Sequence, residues 1–204
     1  MLAKTAVTWQ WSRGGLPALL RVAAAFCCGL LPATLAAATV ARADNGFMVS
    51  NEAVIAAPVE TTWRALLAIG NWWDPEHTYS GDAARMSLDA IAGGCFCEDI
   101  GDGASIRHGE VIYVAPLKVL RIAGALGPLQ EEGVAGSLTF SLAPDADGTR
   151  LLQTYSVGGF RAGGLGELAD VVNGVLGTQL RRLHSFVETG TPLLPALTAV
   201  QALP

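Results

Sequence analysis

The sequence predicts an α+β domain in which a curved antiparallel sheet wraps around one long C-terminal helix. Three observations carry that prediction. From Leu165 to Val187, apolar residues recur at Leu165, Leu168, Val172, Leu176, Leu180, Leu183 and Val187, steps of three or four that build one apolar stripe along a helix. Nearly everything from Arg85 to Phe160 reads as strand, so the stripe must be buried by a sheet rather than by another helix. Between Phe47 and Gly81 the chain has room for a first strand and two short helices.

Taken in order, Phe47 to Ala56 is the first strand, and Ala57-Pro58-Val59-Glu60 starts a helix because proline has its φ preset for the first turn. Trp63, Leu66 and Leu67 give that helix an inner face, and Gly70 ends it. Asn71 to Gly81 is too polar and broken for a core strand and is read as a helical turn running into a loop. Arg85 to Ile91 and Cys95 to Ile100 flank Gly93-Gly94, a hairpin signal, and Gly101-Asp102-Gly103 makes the next reversal. Ser105 to Ala115 and Lys118 to Leu126 follow, separated by Pro116. In Val134 to Leu142, apolar and small polar residues alternate, the mark of a sheet with one buried and one wet face. Asp147-Gly148 turns this strand back into Thr149 to Val157. Acids at Glu167 and Asp170 and bases at Arg181, Arg182 and His184 suit the dipole of the last helix, and Gly174 and Gly177 within it are expected to serve close packing.

With 51% hydrophobic and 15% charged residues, the chain is not of the disordered class. The first 43 residues contain Lys4, Arg13, Arg21 and Arg42 and no acid, then close on Ala41-Arg42-Ala43, the pattern of a secretory signal peptide cleaved after Ala43. The uncharged stretch Val22 to Ala41 is also long enough to span a bilayer, so membrane contact follows if the segment stays uncleaved. Cleavage would remove four of the 13 basic residues and none of the 18 acids, taking the formal net charge from −5 to −9. An acidic domain without a basic run repels phosphate backbones, which excludes nucleic acid as an expected partner. The tail Thr191 to Pro204 carries no charge and three prolines, and is expected to be poorly ordered.

Val54-Ile55-Ala56-Ala57-Pro58-Val59-Glu60-Thr61-Thr62-Trp63-Arg64-Ala65-Leu66 resembles the opening strand-to-helix phrase of the START-like superfamily, often labelled SRPBCC, which includes polyketide cyclase/dehydrase-like proteins. The order of elements from Phe47 to Val187 is similar to the helix-grip fold of that superfamily, and places the domain at residues 44–190. The resemblance implies a deep, mostly apolar cavity between the sheet and the last helix, holding a small hydrophobic or amphipathic molecule. Only some members of the superfamily catalyse a reaction, and no shared catalytic residues carry over.

Candidate site residues follow from chemistry and placement. Trp72 and Trp73 could wall a cavity, with His77 and Tyr79 as polar tips that orient a ligand; the alternative is that both indoles plug one end of the core. His108 shares strand parity with Ile106, Ile112 and Val114, which could point it inward as a proton shuttle for a cyclase or dehydratase step. Cys95 and Cys97 share a strand face, with three readings open: buried thiols behaving as small hydrophobes, a disulfide, or a metal site with His77 and His108. Asp74 and Glu76 fit a turn around Pro75. Gly124 to Gln130, including Leu126, could form a loop over the cavity mouth, opposite Val172 and Leu176 of the last helix. No Gly-rich phosphate loop, nucleophile elbow or His-Glu-x-x-His string is present, and neither cofactor nor metal is expected. Three functions remain open at this point: an exported binding protein, a cyclase or dehydratase, and a protein-interaction module whose interior is filled by its own side chains.

Overall fold

The computed structural model describes residues 36–193, so most of the stretch expected to be a signal peptide, residues 1–35, and the expected poorly ordered tail beyond Leu193 lie outside the described residues. Eight strands form one curved, open antiparallel sheet: β1 (Ala36–Ala43), β2 (Gly46–Ile55), β3 (Met86–Leu88), β4 (Cys95–Gly101), β5 (Ala104–Ala115), β6 (Val119–Ala123), β7 (Gly133–Asp145) and β8 (Gly148–Phe160). Their order is β1-β2-β8-β7-β6-β5-β4-β3. Helix α1 (Val59–Leu67) and a series of single 3-10 turns carry the chain from β2 to the far edge, and α2 (Ala169–Thr189) follows β8. This is the helix-grip arrangement. The second of the two expected short helices is realised as those 3-10 turns, at Ile69–Asn71, Pro75–His77 and Ala83–Arg85. Among the described residues, no helix is long and apolar enough to cross a membrane.

β1 was not expected as a strand. It lies in the stretch assigned to the signal peptide and pairs with β2 from Ala36↔Glu52 to Ala43↔Gly46. Arg42 reaches from it to Asp170 on α2, at 2.6 and 3.1 Å. Most other strands follow the sequence pattern, as in β8, where Leu151, Gln153, Tyr155 and Val157 are buried at alternate positions, while β3 stops at Leu88, short of the expected Ile91, and β5 breaks the alternation.

Helix α2 lies mainly against β2, with β1 and α1 as further neighbours. Leu165, Leu180 and Leu183 are fully buried and Leu176 nearly so, each contributing about 1.5–3 kcal/mol by leaving water. Gly190 ends the helix at φ 77°, returning its N–H to the Phe186 carbonyl. The bases expected to face the helix C-terminus do not lie in its last turn. Arg182 instead donates from Nε to the Trp72 carbonyl at 3.0 Å and from Nη2 to the Trp73 carbonyl at 3.2 Å, fixing the segment after α1.

The two helix glycines differ in burial. Gly177 is buried beside the Asn51 amide, yet a Cβ there would make only ordinary contacts, 3.4 Å from Arg181 and 3.5 Å from Asn51, and a Cβ at the exposed Gly174 would meet nothing within 4 Å. Close packing therefore accounts for neither glycine. Gly174→Ala is expected to stabilise the protein by about 0.5–1 kcal/mol through helix propensity alone. A chemical-denaturation midpoint that falls in this variant would contradict that expectation.

Candidate cavity site

A cavity of about 550 Å³ opens between the first half of α2 and the concave face of the sheet. Leu168, Val171, Val172, Val175 and Leu176 form its helical wall, and Leu126 to Leu129, just before and within a 3-10 turn, close one side. Trp73 and the segment Glu76 to Tyr79 close another. The interior is thus not filled by the chain's own side chains, which departs from the expectation attached to an interaction module.

Local sequence explains each wall. Asp74 caps the turn Pro75–His77 by accepting from the Glu76 N–H at 3.3 Å, as expected of a carboxylate before proline. Gln179 of α2, itself buried, accepts from the Asp74 N–H at 2.8 Å and so holds this turn against the helix. Tyr155 fixes the opposite wall: its hydroxyl donates to the Gly124 carbonyl at 3.0 Å and accepts from the Leu126 N–H at 2.9 Å. Burial pushes the Tyr155 hydroxyl up to about 12, opposed by the Leu126 hydrogen bond, so the phenol stays neutral. Gly136 makes room for this arrangement, since a Cβ there would collide with the Gly124 carbonyl and the Tyr155 ring.

His108 points inward, but not by simple alternation. In the β4–β5 ladder Phe96 pairs with Gly109 and Cys97 with Arg107, leaving His108 as the extra residue of a β-bulge. A second irregularity follows between Val111 and Tyr113. Ile112, expected to share the facing of His108, is consequently exposed while Val111 is buried. Gly124 lies against the bulge, where a Cβ would strike the His108 carbonyl.

Behind His108 sits Glu98, 1% exposed, with its Oε2 2.9 Å from His108 Nε2. Glu98 also accepts from the backbone N–H groups of Ser80 at 2.5 Å and Tyr79 at 3.1 Å. The imidazole lies between Phe96 and Tyr79, with ring centroids 4.9 and 5.9 Å away. Burial alone would push the Glu98 carboxyl up, but the hydrogen bonds from Ser80, Tyr79 and His108 outweigh it and hold the group below the usual 4.5.

Of the ten residues singled out from sequence, Trp73, His77, Tyr79, His108, Leu126, Val172 and Leu176 line the cavity. Trp72, Cys95 and Cys97 do not. Trp72 is fully buried and its indole donates to the carbonyls of Ala65 and Leu66, so it plugs the core beneath α1. Cys95 and Cys97 are joined by a disulfide, Cα to Cα 5.4 Å, which corrects the reading as buried thiols. Phe96 and Glu98 hold the inner face of β4, leaving both sulfurs half-buried on the other face and away from His108. The four residues considered for zinc therefore do not converge, and among the described residues no cluster of three or more His, Cys, Asp or Glu could hold a metal ion.

Glu98, Tyr155 and Arg161 were missed. For Glu98 a signal existed, because a residue two positions from Phe96 shares its face, which makes an acid there conspicuous. Arg161 lines the cavity while donating from Nε to Glu132 at 3.1 Å and from Nη1 to the Gly164 carbonyl at 3.2 Å. Nothing in the local pattern announces it.

No protein-family model matches this sequence, and no curated protein matches it. Among solved structures, the chain is similar to protein MLL2253 from Mesorhizobium loti, at 23% identity over 69% of this chain and 96% of that one, with a TM-score of 0.50. It is also similar to EF2215 from Enterococcus faecalis (17% identity, 75% of this chain, 78% of that one, TM-score 0.51). A third likeness is to a protein from Rhizobium leguminosarum (21%, 74%, 98%, TM-score 0.51). These likenesses are to the fold, an antiparallel sheet with a C-terminal helix, compatible with the helix-grip type.

The lowered Glu98 value has a definite sign. A carboxyl whose folded value lies below its unfolded one contributes stability that is present above the unfolded value and lost as pH falls through the folded one. Urea midpoints should therefore drop as pH falls below about 4.5. Glu98→Gln should cost about 1–3 kcal/mol at neutral pH and show a flatter acid limb. An acid limb equally steep in the variant would remove Glu98 from this account.

Proposed function

We propose that this chain is an exported START-like protein that binds a small hydrophobic or amphipathic molecule between its sheet and α2. The observation that carries this reading is the cavity itself: about 550 Å³, with most of its lining surface apolar and supplied by valines, leucines and Trp73 among others. Ligand sites generally combine apolar walls with a small number of orienting polar groups, and a volume of this order suits a small molecule. Affinity comes from apolar burial, at roughly 25 cal/mol per Å² removed from water.

Two measurements test this reading. Native mass spectrometry of the protein purified from its own host should reveal a retained small molecule, and Val172→Trp, which puts an indole into the cavity, should weaken uptake of a naphthalene-based probe at least about tenfold. Unchanged uptake by a folded Val172→Trp variant would overturn the cavity as the binding site.

Export rests on the leader pattern ending at Ala41-Arg42-Ala43. N-terminal sequencing of the protein recovered outside the cytoplasm should give Asp44 as the first residue. A mature chain beginning at Met1 would replace cleavage with retention of the leader and bring the domain to a membrane surface.

A further inference from the structure

We propose that His108, held by Glu98, is a hydrogen-bond acceptor site on the cavity wall that selects neutral apolar molecules carrying a hydroxyl donor and disfavours carboxylates. This rests on the cavity being the ligand site, and adds which ligands it takes.

An ionised carboxylate only accepts hydrogen bonds. Glu98 receives two backbone N–H groups, from Tyr79 and Ser80, and its Oε2 meets His108 Nε2 at 2.9 Å. That contact requires a proton on Nε2, and an imidazole carrying that one proton has its lone pair on Nδ1. Among the described residues, no group bonds Nδ1, and the ring borders the cavity. Phe96 and Tyr79 flank the imidazole, and the bulge on β5 fixes its backbone, so the acceptor is oriented before a ligand arrives.

The charge around the cavity sets the second half of the preference. Arg161, the one guanidinium among the described residues lining it, is committed to Glu132 and to the Gly164 carbonyl. Glu76 and Glu132 also border the space, and Glu98 lies behind the imidazole. A bound carboxylate would bring a further negative charge into this setting, where the lining guanidinium among the described residues is already paired. The hydroxyls of Tyr155 and Thr78 already donate to backbone carbonyls, at 3.0 and 2.8 Å, which leaves the Tyr79 hydroxyl as the lining one that bonds no other group among the described residues. A ligand hydroxyl that donates to Nδ1 satisfies the acceptor, whereas an ether or hydrocarbon of the same shape leaves it desolvated and unpaired.

Calorimetric titration of the full chain with 2-naphthol, 2-methoxynaphthalene and 2-naphthoate separates these effects at nearly constant ring size. The naphthol should bind about tenfold more tightly than its methyl ether, a difference of the size one hydrogen bond supports, and the naphthoate should bind more weakly than either. In His108→Phe the ratio of naphthol to ether affinity should fall to about one. Should that variant fail to fold, ¹H–¹⁵N spectra of the unaltered protein give the second reading: the His108 Nδ1 resonance should move on adding naphthol and stay in place on adding the ether. Uptake of the ether without preference for naphthol, a ratio preserved in His108→Phe, tightest binding by the naphthoate, or an unmoved Nδ1 resonance would each overturn the acceptor site while leaving the cavity reading intact. A chain that takes up none of the three probes overturns both.

Discussion

A helix of 21 residues with one apolar face is not stable in water on its own, because most helical stability in proteins comes from burying that face. Leu176, Leu180 and Leu183 therefore oblige the sheet to stay against α2, and β2 takes the largest share of the contact. The requirement is met most fully in the second half of the helix. Toward its start, Val171, Val172 and Val175 face space that the sheet does not fill, and the cavity lies there. One end of the helix is thus a clamp and the other a wall.

The polar side of the site is tied to the same frame through one buried carboxylate. Glu98 joins three separate pieces: strand β4 that carries it, the Tyr79–Ser80 segment whose amides it accepts, and His108 on β5. A buried charge is tolerated only when its hydrogen bonds are made, so the loop and the histidine are held by the cost of leaving Glu98 unpaired. On the opposite wall Tyr155 plays a corresponding part for Gly124 and Leu126 with a neutral group. The cavity is bounded by loops, yet each is bonded to a side chain from a strand or from α2.

What was legible in the sequence follows from which forces are periodic. The apolar stripe of α2 and the alternation in β7 repeat over many residues, and both elements form where expected. Seven of the ten chosen residues reach the cavity: Trp73, His77, Tyr79 and Leu126 from loops marked by proline, glycine and aromatic side chains, Val172 and Leu176 from the helix stripe, and His108 from β5. The failures are local and non-periodic. His108 faces inward through a bulge that shifts Ile112 outward, and a one-residue insertion in a ladder leaves no trace in a count of alternating positions. Cys95 and Cys97 do share a face, but local pattern does not say which one, and Phe96 and Glu98 take the inner side. Trp72 and Trp73 are neighbours in sequence with different fates, one in the core and one on the wall, decided by the turn after Ile69 and the grip of Arg182. β1 was hidden because its residues also satisfy the pattern of a leader.

The open sheet has two margins, and they are unequal. At one end β3 has three residues, too short to offer a second molecule more than a few unpaired amides. At the other, β1 covers β2 along most of its ten residues and is tethered to α2 through Arg42 and Asp170. A chain trimmed after Ala43 would lose that cover, and β2 would become a long border strand with its outward N–H and C=O groups free. Such trimming would alter self-association, because the peptide groups released from β1 are the kind through which one sheet extends into another.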